Sequence, residues 1–210
     1  MTLINNISER SMKKLEATYQ YVFLGILAAM LGSWLMFPYV TLLSGWTFWG
    51  LVLVEFAVLF WFFFSKHIIS YFTFTTLTGV TLVPVLAHYV GIGASAAIVQ
   101  ALVGTTMVTG GLTLYASTTT KDYLSMGQTL FWILVGLIAM SIANIFIGSS
   151  MLSLGLSMVT VVLFSFFIIH DTQAVLYTDI EPLEAAMGLY LNVLNMFVSL
   201  LNIIGFGGDD

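Results

Sequence analysis

Long apolar stretches dominate the chain, and they decide what it can fold into. A helix that crosses the hydrocarbon core of a bilayer needs roughly 20 mostly apolar residues. Only 7% of the 210 residues are charged, against about 25% in soluble domains, so a soluble enzyme and a nucleic-acid-binding protein are excluded. We therefore expect an all-α, polytopic membrane protein. The predicted spans cover residues 16–37, 42–64, 68–90, 93–117, 127–148, 151–172 and 185–206.

The connections between these stretches are too short to hold a separate domain. Residues 1–15 form a polar N-terminal segment, and residues 16–210 are predicted to form one transmembrane domain in contact with lipid. The absence of cysteine from the sequence excludes disulfides, thiolate metal sites and Cys nucleophiles. No constellation of residues typical of an enzyme accompanies the remaining polar side chains, so we expect neither catalysis nor a bound cofactor.

The basic residues predict the orientation of the chain. If there are seven spans, all five basic residues fall on one side of the membrane. The positive-inside rule makes this the cytoplasmic side. The N-terminus is then cytoplasmic and the C-terminus outside. A six-span count would move no basic residue, so the charge rule alone does not establish the seventh span. The residues are Arg10, Lys13, Lys14, Lys66 and Lys121.

The seventh stretch differs from the others because it carries a polar stripe. Successive members of the stripe are three or four residues apart, which places them on one face of a helix. Lipid offers these side chains no hydrogen bonds, so the face must meet protein or trapped water. We expect a central seventh helix surrounded by the other six. The members are Gly188, Asn192, Asn195, Ser199 and Asn202.

Two carboxylates fall within or at the edge of predicted spans, where an acid costs at least about 2.5 kcal/mol. Glu55 lies nine residues before the end of its predicted span at residue 64, about 14 Å below that end. Asp171 ends the sixth stretch, at a depth similar to that of Asn192. Both acids are candidates for an ion path. The alternatives are a protonated Glu55 that donates one hydrogen bond to a neighbouring helix, and an ordinary interfacial Asp171 that caps the seventh helix or pairs with Lys66.

Five strings of residues, in order along the chain, resemble signatures of the Bax inhibitor (transmembrane Bax inhibitor motif) family. They are Glu55, Gly79–Tyr89, Asn144–Phe146, Asp171–Gln173 and Gly188–Phe206. Within the family, Thr118–Asp122 and Leu200–Phe206 look most like the bacterial branch that includes the modulator of the FtsH membrane protease.

The resemblance implies a seven-helix fold with a central last helix and a leak pathway for calcium. In the family, two aspartates that share a proton beside a basic residue close this pathway. Asp171 matches the first aspartate, but Asn192 stands at the second position, and Lys66 is the nearest basic residue. An Asp–Asn pair lacks the repulsion that couples two carboxylates. We therefore predict a weaker or shifted pH response that Asp171 carries alone.

One hypothesis is a pH-sensitive leak for calcium or other cations. Its gate comprises Asp171, Asn192 and Lys66, and its ion path includes Glu55 and Asn195. Calcium takes several oxygen ligands at once. Asp171 and Glu55, with neutral oxygens beside them, therefore predict weak binding of calcium in transit.

The alternative hypothesis belongs to another class of protein. It is a modulator of the membrane AAA protease FtsH that acts by protein–protein contact, with Met1–Leu15 as the exposed segment. Under either hypothesis, the short loops favour a multi-pass protein of the bacterial inner (plasma) membrane.

Overall fold

In a computed structural model that describes residues 9–206, the chain forms a bundle of seven long helices. All seven are long and apolar enough to cross a membrane, which confirms the predicted polytopic all-α fold. Residues 1–8 of the predicted N-terminal segment lie outside the described residues, as do residues 207–210. The helices are α1 (Glu9–Met36), α2 (Trp46–Ser65), α3 (Ile68–Gly91), α4 (Ser95–Thr118), α5 (Gly127–Ile147), α6 (Ser150–Tyr177) and α7 (Pro182–Phe206).

Two helices extend well beyond their predicted spans. α1 begins at Glu9 instead of residue 16, and α6 continues to Tyr177 instead of residue 172. An apolar run marks only the part of a helix that fits the hydrocarbon core, whereas the backbone hydrogen bonds continue past it. The added turns also pack, since Leu15 joins a buried cluster with Val175. Asp171 therefore lies inside α6 and not at its end.

α7 lies at the centre of the bundle and is the most deeply buried helix. It packs extensively against α6, α4 and α1, and lightly against α3. α2 packs mainly on α3, and α5 mainly on α6, so the expectation that six helices surround α7 is wrong. α2 buries only Phe62, and α5 only Leu130 and Leu137. Their other faces are apolar and well solvated by lipid, so nothing drives these two helices to the centre.

α1 and α3 approach each other closely along small residues. A Cβ atom on Gly79 would overlap the backbone of Ala29, and one on Gly32 would overlap the carbonyl oxygen of Thr76. Across this contact, the Ser33 hydroxyl donates to the Gly79 carbonyl at 2.6 Å. Close backbone approach and interhelical hydrogen bonds hold helices together in lipid, where the hydrophobic effect does not.

The two ends of the bundle differ in charge. At the charged end, Lys14 Nζ donates to the carbonyl of Thr178 at 2.6 Å, and Gln173 donates to the carbonyl of Lys121. The connections at the opposite, uncharged end are residues 37–45, 92–94 and 148–149, and these described residues include no Asp, Glu, Lys or Arg. Seven helices place the start of α1 and the end of α7 at opposite ends.

Candidate functional site

A carboxylate joins α6 to α7 near the charged end. Asn192 Nδ2 donates to Asp171 Oδ2 at 2.7 Å, so the structure brings together the two residues that the sequence placed at one depth. A Cβ atom on Gly188, one turn before Asn192, would lie 3.1 Å from the same carboxylate oxygen. A glycine at this position therefore lets α7 approach the charge closely. The polar stripe of α7 faces protein here, as predicted.

The nearest titratable partner of Asp171 is its sequence neighbour. His170 Nδ1 lies 2.8 Å from Asp171 Oδ1, and the two side chains are 22% and 23% exposed. The imidazole also lies against the start of α5, since a Cβ atom on Gly127 would come within 2.8 Å of His170 Nε2. The two side chains are therefore partly exposed and lie between three helices.

The residues around this pair fix the connection between α4 and α5. Gln173 is buried; its Oε1 accepts from the backbone N–H of Tyr123 at 2.8 Å, and its Nε2 donates to the carbonyl of Lys121 at 2.9 Å. On the other side, the hydroxyl groups of Tyr19 and Thr113 bond α1 to α4. The charged end of α6 is thus surrounded by α1, α4, α5, α7 and the α4–α5 connection.

Lys66 does not contact Asp171. Its Nζ lies 2.6 Å from Glu184 Oε2 in the first turn of α7. Lys66 also ends α2 in the left-handed conformation, with φ at 48°, which turns the chain directly into α3. Lys66, the basic residue expected beside Asp171, is therefore bonded to Glu184, and His170 lies beside Asp171 instead.

Glu55 lies apart from Asp171. It is half-buried on the peripheral helix α2, beside the hydroxyl of Thr81 on α3 and on the side of α7 that carries Tyr190. Tyr190 is two residues before Asn192, which puts the two on opposite sides of α7. The structure therefore does not bring Glu55 to the polar stripe, and Glu55 and Asp171 do not form one calcium site.

A polar cavity of about 540 Å³ continues from the stripe towards the uncharged end. It lies between α5, α6 and α7. Asn202 closes one part of the α6–α7 contact, since its Nδ2 donates to the hydroxyl groups of Ser153 and Ser157 at 2.9 Å. The polar residues of the cavity wall are Ser141, Asn144, Ser153, Ser157, Thr160, Asn195 and Ser199. We call this face of α6 and α7, from Asn202 to Asp171, the polar seam.

Apolar side chains interrupt the polar seam between the cavity and Asp171. Phe164 lines the cavity and belongs to a buried cluster with Ile168 and Met196. Along α6, Phe164 and Ile168 follow the serines at helical spacing and precede Asp171 on the same face. In the described conformation, these side chains and the Asp171–Asn192 bond therefore fill the α6–α7 contact between the cavity and the charged end.

Within residues 9–206, no three His, Asp or Glu side chains converge in a way that could hold a metal ion. The seam supplies a single carboxylate together with amide and hydroxyl oxygens. Such a set suits weak, transient contact with a cation better than a resident metal, because calcium takes six to eight oxygens.

Sequence reasoning did not find two of the residues that complete this site. His170 is next to Asp171 in the chain, but adjacent helical residues do not normally face each other. Gln173 stood within a recognised string, yet its bonds reach the α4–α5 connection, about 50 residues away in the chain. Only the position of that connection reveals its role.

These features define a class of protein: a seven-helix membrane protein with a central last helix. That helix carries a polar seam, which ends at the partly buried carboxylate of Asp171. The profile of the family described as inhibitor of apoptosis-promoting Bax1 matches residues 11–209. The chain therefore belongs to the Bax inhibitor family.

Bacterial relatives agree with this membership. An uncharacterized protein of Campylobacter jejuni is 38% identical over 200 residues, which cover 90% of this chain and 87% of that protein. The modulator of FtsH protease YccA of Escherichia coli K12 is 35% identical over 144 residues, or 68% of this chain and 66% of that protein. A relative with the same figures in Escherichia coli O6:H1 is named inner membrane protein YccA. The names of the two Escherichia coli relatives describe a modulator of a protease and an inner membrane protein.

Proposed function

We propose that the chain is a pH-sensitive leak for cations, with calcium as cargo, along the polar seam between α6 and α7. The observation that carries this is the run of amide and hydroxyl groups from Asn202 to Asn192, ending at the Asp171 carboxylate. Polar groups within a membrane are costly unless protein or water satisfies them. A cavity of about 540 Å³ at the uncharged end supplies room for water and ions.

Opening requires two changes near the charged end. The Asp171–Asn192 bond must break, and Phe164 and Ile168 must move apart. A hydrogen bond to an ionised carboxylate is roughly twice as strong as one between neutral groups. Protonation of Asp171 therefore weakens its hydrogen bond with Asn192. The leak is then expected to rise as pH falls. Lys66 and Glu55 take no part in this path.

Calcium efflux from proteoliposomes tests the proposal. With the purified full chain, we expect an efflux that rises towards acidic pH. In Asp171→Asn, the residue is always neutral, so efflux should stay high and independent of pH. Asp179→Asn, an equal charge change on the exposed α6–α7 connection, should behave like the wild type. An unchanged pH response in Asp171→Asn would overturn the proposal.

The same proposal places the charged end in the cytoplasm. Lys14 and Lys66 lie at this end, as does Lys121 in the α4–α5 connection, and cytoplasmic loops carry an excess of Lys and Arg. The start of α1 is then cytoplasmic and the end of α7 outside. A bacterial inner membrane is supported by the relative that carries that description.

A second candidate function is modulation of an FtsH-type membrane protease by direct contact. It is favoured by the relative named modulator of FtsH protease, which shares 35% identity over 144 residues. Deletion of residues 2–8 removes about half of the predicted N-terminal segment and keeps every described residue of α1 in the chain. Co-purification with the protease that is lost on this deletion, and kept on deletion of residues 207–210, supports the candidate. Absence of co-purification with the intact chain contradicts it.

A further inference from the structure

A second cavity, of about 510 Å³, lies behind α7 on the side away from Asp171. It occupies the gap between the α1–α3 pair and α4, which touch each other only sparsely. α7 forms its floor. The lining residues that matter here are Ile26, Trp34, Leu86, Leu102, Val193 and Phe197. We call this cavity the α7 groove.

The polar side chains of the α7 groove wall, apart from Trp34 at its rim, bear hydroxyl groups that are already engaged as donors. Their hydroxyl groups donate to backbone carbonyls: Ser33 to Gly79, Thr105 to Ala101, Thr106 to Leu102 and Tyr190 to Thr75. A buried water needs two to four polar partners, and these hydroxyl groups have no proton left to donate to it. An apolar occupant is therefore favoured.

The groove opens sideways at the depth of the hydrocarbon core. Its rim includes Met30, Trp34 and Leu102, which are all exposed although they lie within spans. Towards the charged end, the hydrogen bond between Tyr19 and Thr113 closes the gap between α1 and α4. The opening therefore faces lipid in the half of the bundle nearer the uncharged end.

We propose that the α7 groove is a binding site for one acyl chain of a bilayer phospholipid. Hydrocarbon is the solvent at this depth, and an empty groove would leave its lining without dispersion partners. A partner helix with its side chains is about 10–12 Å across, so even two turns of one exceed the 510 Å³ available. An acyl chain is narrower and enters through the lateral opening.

The bound chain supports α7 from behind. Val193 and Phe197 line the groove, whereas Asn192 and Asn195 lie on the opposite side of the same helix. The acyl chain thus fills the space into which α7 would otherwise shift away from α6. This inference concerns lipid binding and does not depend on conduction along the polar seam.

Native mass spectrometry of the full chain, purified in mild detergent with phosphatidylglycerol, tests the site. We expect the wild type to retain one phospholipid per chain. Leu102→Trp fills the groove and should lower retention at least fivefold. Val103→Trp places the same side chain on the next residue, which is exposed outside the groove wall, and should retain lipid. Phosphatidylethanolamine with the same chains should bind equally, because the groove contacts the chain and not the headgroup.

Val193→Phe fills the groove from α7 and provides a second variant should Leu102→Trp fail to fold, which helical circular dichroism detects. Equal retention in the filling variants and in Val103→Trp overturns the proposal, as does a folded wild type that retains no phospholipid. A stoichiometric polypeptide that Leu102→Trp releases, while lipid retention is unchanged, would also overturn it.

Discussion

Asn192 donates a 2.7 Å hydrogen bond to the carboxylate of Asp171, and this bond ties the central helix α7 to α6. The amide cannot ionise, so the contact contains a single carboxylate. His170 lies on the other oxygen of Asp171 at 2.8 Å. The two oxygens of one carboxylate therefore contact both α7 and the neighbouring imidazole.

Replacing the amide with a second acid should change the sign of the pH response at alkaline pH. In Asn192→Asp, two carboxylates lie within hydrogen-bond distance, share a proton at intermediate pH and repel each other once both ionise. Calcium efflux, measured over about pH 5 to 8, should then pass through a minimum and rise again at high pH. Asn202→Asp, at the far end of the seam, should keep the falling wild-type curve. An Asn192→Asp curve that only falls would contradict this expectation.

Removing one polar group from the cavity wall should slow the leak. Asn195→Leu replaces an amide that a partly dehydrated ion would contact, at a cost of about 1–3 kcal/mol, or about tenfold or more in rate. Efflux from proteoliposomes measures the effect. Ile203→Leu, on the same helix but outside the cavity wall, should conduct at the wild-type rate. Wild-type efflux from folded Asn195→Leu would place the path elsewhere.

The close contact between α1 and α3 should not tolerate a methyl group. In Gly79→Ala, the added Cβ overlaps the backbone of Ala29, and relief of the overlap should lower the free energy of unfolding by at least about 2 kcal/mol. Titration with a denaturing detergent measures the loss. Gly136→Ala is the matched control, because a Cβ there meets no atom within 4 Å. Equal stability of the two variants would contradict the packing described.

Gln173 should hold the α4–α5 connection in place. Gln173→Leu removes the bonds to the backbone of Lys121 and Tyr123, which should cost about 1–2 kcal/mol. Amide hydrogen exchange over residues 119–126 should become faster in this variant. Gln128→Leu, at an exposed position at the start of α5, should leave the exchange unchanged. Equal exchange in both variants would show that the side chain does not anchor the connection.

The absence of native cysteine makes the orientation directly testable with single-Cys variants. Thr41→Cys lies in the uncharged connection after α1, and Thr120→Cys lies at the charged end; both positions are exposed. In intact cells, a membrane-impermeant maleimide should label residue 41 and not residue 120. Labelling of residue 120 from outside would reverse the proposed orientation.

The number and order of the spans were readable from the sequence, because length and hydropathy suffice to identify a transmembrane helix. The polar stripe of α7 was equally readable, since lipid cannot satisfy Asn192 or Asn202. That stripe also indicated which residue would meet Asp171. The helix ends were less accurate, because hydropathy marks the bilayer and not the last backbone hydrogen bond.

Only the tertiary structure decided which charges meet. Lys66 suited Asp171 by depth, but the turn after α2 and the position of Glu184 give it another partner. Glu55 suited an ion path by depth as well, yet the packing of α2 on α3 places it behind α7. Depth along a helix is a property of sequence, whereas the direction of a side chain around the bundle depends on how the helices pack. Hydropathy therefore predicts the depth of a residue in the membrane, but it does not predict the direction in which its side chain points.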